Sequence, residues 1–107
     1  MDFSELDNRY FPAVDQAIPT RDYRVYLYFD DGSIRLYNAR PLLDLPVFHP
    51  LKNTEVFLGT CTVLNGTLAW DLAGTFDDTK CLDVDPLELY RVSPEVSEPE
   101  WVLRPWK

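Results

Sequence analysis

Residues 22–38 constrain the fold of this chain more than any other stretch. Two runs of alternating apolar and polar or aromatic side chains flank a turn signal at Asp31-Gly32. A two-residue turn there, the type that needs positive φ at both central positions, predicts a β-hairpin. Its register pairs Asp30 with Ser33, Phe29 with Ile34, Tyr28 with Arg35, Leu27 with Leu36, Tyr26 with Tyr37 and Val25 with Asn38. Side chains alternate along a strand, so Val25, Leu27, Phe29, Ile34 and Leu36 form one face, and Arg24, Tyr26, Tyr28, Arg35 and Tyr37 the other. The apolar face calls for a core. The Tyr/Arg face calls for a partner or a cover, because these residue types concentrate at protein contact surfaces.

A second hairpin is predicted at Asn65-Gly66, a dipeptide suited to positive φ at both turn positions, with Cys61 opposite Trp70 and Val63 and Leu68 turned to the core. Cys61 then acts as a small hydrophobe, and Cys61 and Cys81, too far apart for a Cys-x-x-Cys zinc pair, read as free thiols. Asn65-Gly66-Thr67 also matches a glycosylation sequon, which the turn itself explains.

The remaining elements are short. A first strand lies within residues 10–18, with Pro12 near its start. Asn38 and Pro41 open a single helical turn, residues 47–51 connect, and Asn53 caps a helix over residues 54–58 that Gly59 closes. Residues 71–80 read as a loop and residues 81–84 as a last strand. Asp85, Pro86 and Glu88 start a helix as cap, first helical residue and capping-box partner, and Leu89 and Tyr90 end it against the core.

At 107 residues, 46% of them hydrophobic, the chain has the size and composition of one domain with its own core. Residues 1–9 form an N-terminal extension, residues 10–92 the domain, and residues 93–107 an extended tail with Pro94, Pro99 and Pro105. The tail also carries Trp101, Val102, Leu103 and Trp106, too much apolar surface for a free end, so it docks on its own domain or on a second chain as in a homodimer. The expected fold is α+β: an antiparallel sheet of five to six short strands, built from two hairpins and flanking strands, packed with two to three short helices.

Charge narrows the function. Eighteen acidic residues against ten basic ones leave a net charge of −8, which opposes the phosphate contacts that drive nucleic-acid binding. No apolar run reaches the roughly 20 residues of a membrane span, and the acidic N-terminus is unlike a signal peptide, which places the chain in the cytoplasm.

Catalytic signals are weak. His49, the single histidine, sits between Phe48 and Pro50 with no serine or cysteine nearby, and reads as structural. Asp77, Asp78, Asp83 and Asp85 are a concentration of carboxylates able to bind Mg²⁺ or Ca²⁺, although Asp85 already has a role as a helix cap. No phosphate-binding glycine loop, nucleophile elbow or zinc-protease motif occurs, so neither enzymatic activity nor a cofactor is expected.

Several blocks together resemble a known family. They are Phe11-Pro12 with Val14, Tyr23 and residues 29–32 with Tyr37 and residues 41–43, Val47-Phe48 with Pro50-Leu51 and Phe57, Trp70-Asp71, and residues 81–86 with Leu89-Tyr90. In these the chain, over residues 10–92, resembles a bacterial family of small domains catalogued as domain of unknown function 2442. The resemblance implies a small α+β domain, often encoded beside another short protein in pairs that look like toxin-antitoxin modules. It implies no catalytic residue. Some relatives add a helix-turn-helix domain, for which this sequence shows no counterpart.

The functional expectation is therefore a non-catalytic protein-interaction or regulatory module, the antitoxin-like member of a gene pair being one form of it. Its contact residues would be Arg24, Tyr26, Tyr28, Arg35 and Tyr37 with Trp101 and Trp106, and its partner the product of an adjacent gene. The alternative is a small metal- or ligand-binding protein using the Asp77, Asp78, Asp83 and Asp85 carboxylates.

Overall fold

Turn chemistry sets the first sheet. In the computed structural model, which describes residues 11–72 and 82–99, strands β1 (Val14–Pro19), β2 (Arg24–Phe29) and β3 (Ile34–Asn38) pair antiparallel in that order. The β2–β3 connection differs from the expected two-residue turn. Phe29 N–H donates to the Ser33 carbonyl at 2.9 Å, and Gly32 N–H donates to the Phe29 carbonyl at 3.0 Å. The loop is therefore Asp30, Asp31 and Gly32, with Gly32 at φ +88°, the left-handed residue that a three-residue hairpin loop places last. The Asp31 carboxylate accepts the Ser33 N–H at 2.8 Å and closes the loop.

The extra loop residue moves the register by one. Val25 pairs with Tyr37, Tyr26 with Leu36, Leu27 with Arg35 and Tyr28 with Ile34. A one-residue slip sends every side chain of a strand to the other face. The predicted faces are thus corrected: Tyr37 and Arg35 share the side of Val25 and Leu27, while Ile34 and Leu36 join Tyr26 and Tyr28. Burial follows this register, since Tyr37 is in the hydrophobic core beside Val25 and Leu27.

The second hairpin is as expected. Asn65 and Gly66 both take positive φ, and Cys61 pairs with Trp70 and Val63 with Leu68. Strands β4 (Cys61–Leu64), β5 (Thr67–Trp70) and β6 (Leu82–Asp83) make a second antiparallel sheet in that order. The six strands are divided between two sheets of three, and β1 lies against β4 and β5. Val14 N–H donates to the Gly66 carbonyl at 2.7 Å and ties the sheets together.

Helix signals also translate well. Asn53 caps helix α1 (Thr54–Thr60), its side chain accepting from the Glu55 and Val56 amides. Gly59 lies inside α1 and does not end it. Upstream, two 3-10 segments, Arg40–Asp44 and Pro46–Lys52, each have a proline in the first turn, where a missing N–H costs nothing, so the connector expected over residues 47–51 is instead helical. Asp85 caps helix α2 (Pro86–Val92) through the Leu87 amide at 3.0 Å, whereas Glu88 pairs with Arg91 instead of completing a capping box.

The core sits between these layers. Leu27, Leu51, Phe57, Leu68, Trp70 and Leu89 are fully buried, each contributing roughly 1.5–3 kcal/mol. Phe48 and Phe57 both contact the Trp70 ring, with centroids 6.1 and 5.6 Å away. Cys61 is a free thiol packed against this core, and burial pushes its pKa up to about 12. Among the described residues no helix is long and apolar enough to cross a membrane.

Candidate functional site

Strand alternation and one irregularity build the outer face of the first sheet, the side turned away from the core. A β-bulge interrupts β1 between Val14 and Gln16: Val14 pairs with Phe29, Gln16 with Tyr28, and Asp15 is the extra residue. Without it, Gln16 would share the core side of Val14. With it, Gln16 lies opposite Tyr28 on the outer face, Ala17 returns to the core side opposite Leu27, and Ile18 pairs with Tyr26. The outer face therefore carries Gln16, Ile18, Arg24, Tyr26, Tyr28, Ile34 and Leu36.

A cleft of about 330 Å³ opens at the loop end of this face, lined by Asp15, Gln16, Tyr28, Phe29, Gly32, Ser33 and Ile34. At the opposite end Arg24 Nε donates to Asp22 Oδ2 at 2.8 Å, and Thr20 donates its hydroxyl to Asp22 Oδ1. Those two hydrogen bonds, with the Arg24 charge, hold the Asp22 carboxyl at about 2.

The start of the tail lies along β3. Leu36 N–H donates to the Pro94 carbonyl at 3.0 Å and Val96 N–H to the Ile34 carbonyl at 2.7 Å, a short antiparallel bridge centred on Arg35 and Glu95. From there Glu98 reaches back over the face, its Oε2 accepting the Tyr28 hydroxyl at 3.0 Å. Tyr28 is buried on this outer side.

Arg35 does a different task from the one expected. Its guanidinium lies 4.0 Å above the Tyr90 ring and donates to the Ser93 carbonyl at 3.0 Å. Tyr90 in turn donates its hydroxyl to Asp31 Oδ2 at 2.6 Å, which lowers the Asp31 pKa and raises that of Tyr90. Tyr90 also meets Phe29 edge-on at 5.1 Å. This set fastens α2 to the first hairpin. Burial raises the Tyr37 pKa, as befits a phenol in the core.

Of the expected contact residues, then, Arg24, Tyr26 and Tyr28 share one face, and Arg35 and Tyr37 are on the other. Trp101 and Trp106 lie outside the described residues, as do Asp77 and Asp78. Asp83 and Asp85 are exposed, Asp85 is engaged as the α2 cap, and among the described residues no three His, Cys, Asp or Glu side chains gather as metal ligands. His49 is exposed on the second 3-10 segment. Sequence reasoning missed Asp15, Gln16 and Glu98. The bulge has no composition signal, although Val14 and Ala17, three apart and both turned to the core, are its trace.

Two small antiparallel sheets, short helices, and a segment after α2 laid along a sheet edge make up an α+β domain. The chain belongs to the family described as Protein of unknown function (DUF2442), which matches over residues 14–95. No curated protein and no solved structure matches the chain.

Proposed function

We propose that this chain is a non-catalytic protein-interaction or regulatory module of the cytoplasm, acting through the outer face of the first sheet beside the β3 edge that its own residues 94–98 occupy. The observation that carries the reading is the seating of residues 94–98. Two backbone hydrogen bonds and the Glu98–Tyr28 contact hold an extended segment on a sheet edge, which is the chemistry of recognition by strand addition. Arg24, Tyr26 and Tyr28 beside that edge are of the residue types that dominate contact energies. The gene-pair arrangement that the family resemblance implies makes the product of an adjacent gene the first partner to try, with this chain as the antitoxin-like member.

The test is co-purification of the tagged chain with that product. Arg24→Ala combined with Tyr26→Ala is expected to reduce capture at least tenfold while the far-ultraviolet circular dichroism is unchanged. Tyr37→Ala, by contrast, is expected to destabilise the fold, because Tyr37 is a core residue. Capture that is indifferent to the Arg24/Tyr26 pair, or no capture at all, would sink the reading.

A further inference from the structure

We propose that the cleft beside the β1 bulge receives an arginine side chain from the protein partner, an inference that rests on the interaction reading and names the chemistry it selects. The bulge turns two adjacent polar side chains, Asp15 and Gln16, to the same side of the sheet, where regular alternation would have separated them. Both line the cleft, with Ser33 just before β3 and the apolar and aromatic surface of Tyr28 and Ile34 between them. Asp15 takes part in none of the ion pairs among the described residues.

The acceptors set the ligand's charge. A carboxylate and a neutral amide, those of Asp15 and Gln16, line one concavity, and none of its lining residues is basic. The Asp30 and Asp31 carboxylates stand in the adjoining loop. The Ser33 hydroxyl is already engaged, accepting from Arg35 Nε at 3.3 Å on the core side, and the rest of that guanidinium is held by the Tyr90 ring and the Ser93 carbonyl. A chain of net charge −8 further favours a cation at this mouth.

Shape selects arginine over a compact ammonium. A guanidinium is planar, weakly hydrated and carries five donors in a fixed fork, which suits a carboxylate beside a neutral amide acceptor. Its three-carbon stem can lie on Tyr28 and Ile34 while the head stays at the polar rim. The cleft volume, about 330 Å³, is at the small end of the range for ligand sites, roughly 300–1,000 Å³, and fits one side chain better than a cofactor.

The test is an NMR titration of the full chain with a capped Gly-Arg-Gly tripeptide, following the Gln16, Gly32 and Ser33 amides. The neutral isostere with citrulline in place of arginine is the control. Saturable shifts at those amides are expected, at least tenfold weaker with citrulline and at least tenfold weaker in Asp15→Asn. Free arginine, whose charged α-ammonium and α-carboxylate replace the neutral peptide groups of a partner's chain, is expected to bind no more tightly than the capped peptide. Equal shifts with arginine and citrulline, or none at about 10 mM peptide, overturn the proposal; tighter binding of free arginine overturns it too, by assigning the cleft to a metabolite. In the co-purification assay Asp15→Asn is expected to weaken capture. Full capture with Asp15→Asn, alongside loss with the Arg24/Tyr26 pair, removes the cleft proposal and leaves the interaction reading standing. An arginine-specific titration with no captured protein overturns the interaction reading, and with it the assignment of the arginine to a protein partner.

Discussion

Tyr23 and Asp22 show how much a single residue carries at the β1–β2 turn. Tyr23 takes a left-handed φ of 66°, which a side chain of its size rarely adopts. It is held there by its hydroxyl, which donates to the Lys52 carbonyl at 2.5 Å and lies 3.0 Å from Thr54 Oγ1, and by an edge contact with Phe57 at 5.0 Å. Asp22, next to it, has its pKa lowered from 3.8 to about 2 by its hydrogen bonds to Arg24 and Thr20. A carboxyl lowered on folding contributes stability that is present above its unfolded pKa and is lost as pH falls through the folded one. Thermal midpoints should therefore fall from about pH 4 towards about pH 2 more steeply in the native sequence than in Asp22→Asn. The pair is exposed, so the difference is expected to be small and to shrink in salt. Coincident profiles would mean that the turn does not use this carboxylate.

At the scale of the element, the first hairpin depends on its loop. Gly32 at φ +88° is the residue that lets three loop positions replace two, and open space surrounds the place where a Cβ would go. Substitution there is a backbone test free of steric clash. Gly32→Ala is expected to lower unfolding free energy by about 1 kcal/mol, and Gly32→Asn by less, since asparagine tolerates the left-handed region. Urea denaturation of the three chains checks this. Equal stability of alanine and glycine would require a different loop. The second hairpin offers the contrast: Asn65-Gly66 forms the expected two-residue turn, with φ values of 52° and 74°. Asn53 and Asp85 likewise cap the helices expected of them, because a side chain reaching amides two or three residues ahead needs no help from the rest of the fold.

Across the whole molecule, α2 and the segment after it join the two ends of the domain. Leu89 enters the core, Tyr90 clamps the first loop, and residues 94–98 extend the first sheet at β3. If Glu98 pins that segment through Tyr28, then Tyr28→Phe should speed hydrogen exchange at the Val96 amide about fivefold, equivalent to about 1 kcal/mol, without changing exchange in β5. Unaltered exchange at Val96 would show that the backbone pairing suffices alone.

The sequence by itself determined the α+β class, the second hairpin with its register, the caps at Asn53 and Asp85, and the docking of the tail's first residues as an alternative between self and partner. These follow from interactions that act within a few residues or from simple apolar balance. Tertiary structure alone decided three things: the register of the first hairpin, the bulge at Asp15, and which surface the tail's start occupies. Locally, a turn at Asp31-Gly32 and a loop of Asp30, Asp31 and Gly32 are close in free energy, yet they place opposite faces of β3 in the core. Packing separates them, because Tyr37 fills the core beside Val25 while Arg35 stacks on Tyr90, a residue distant in sequence. The same choice transfers Ile34 and Leu36 to the outer face and so creates a wall of the cleft.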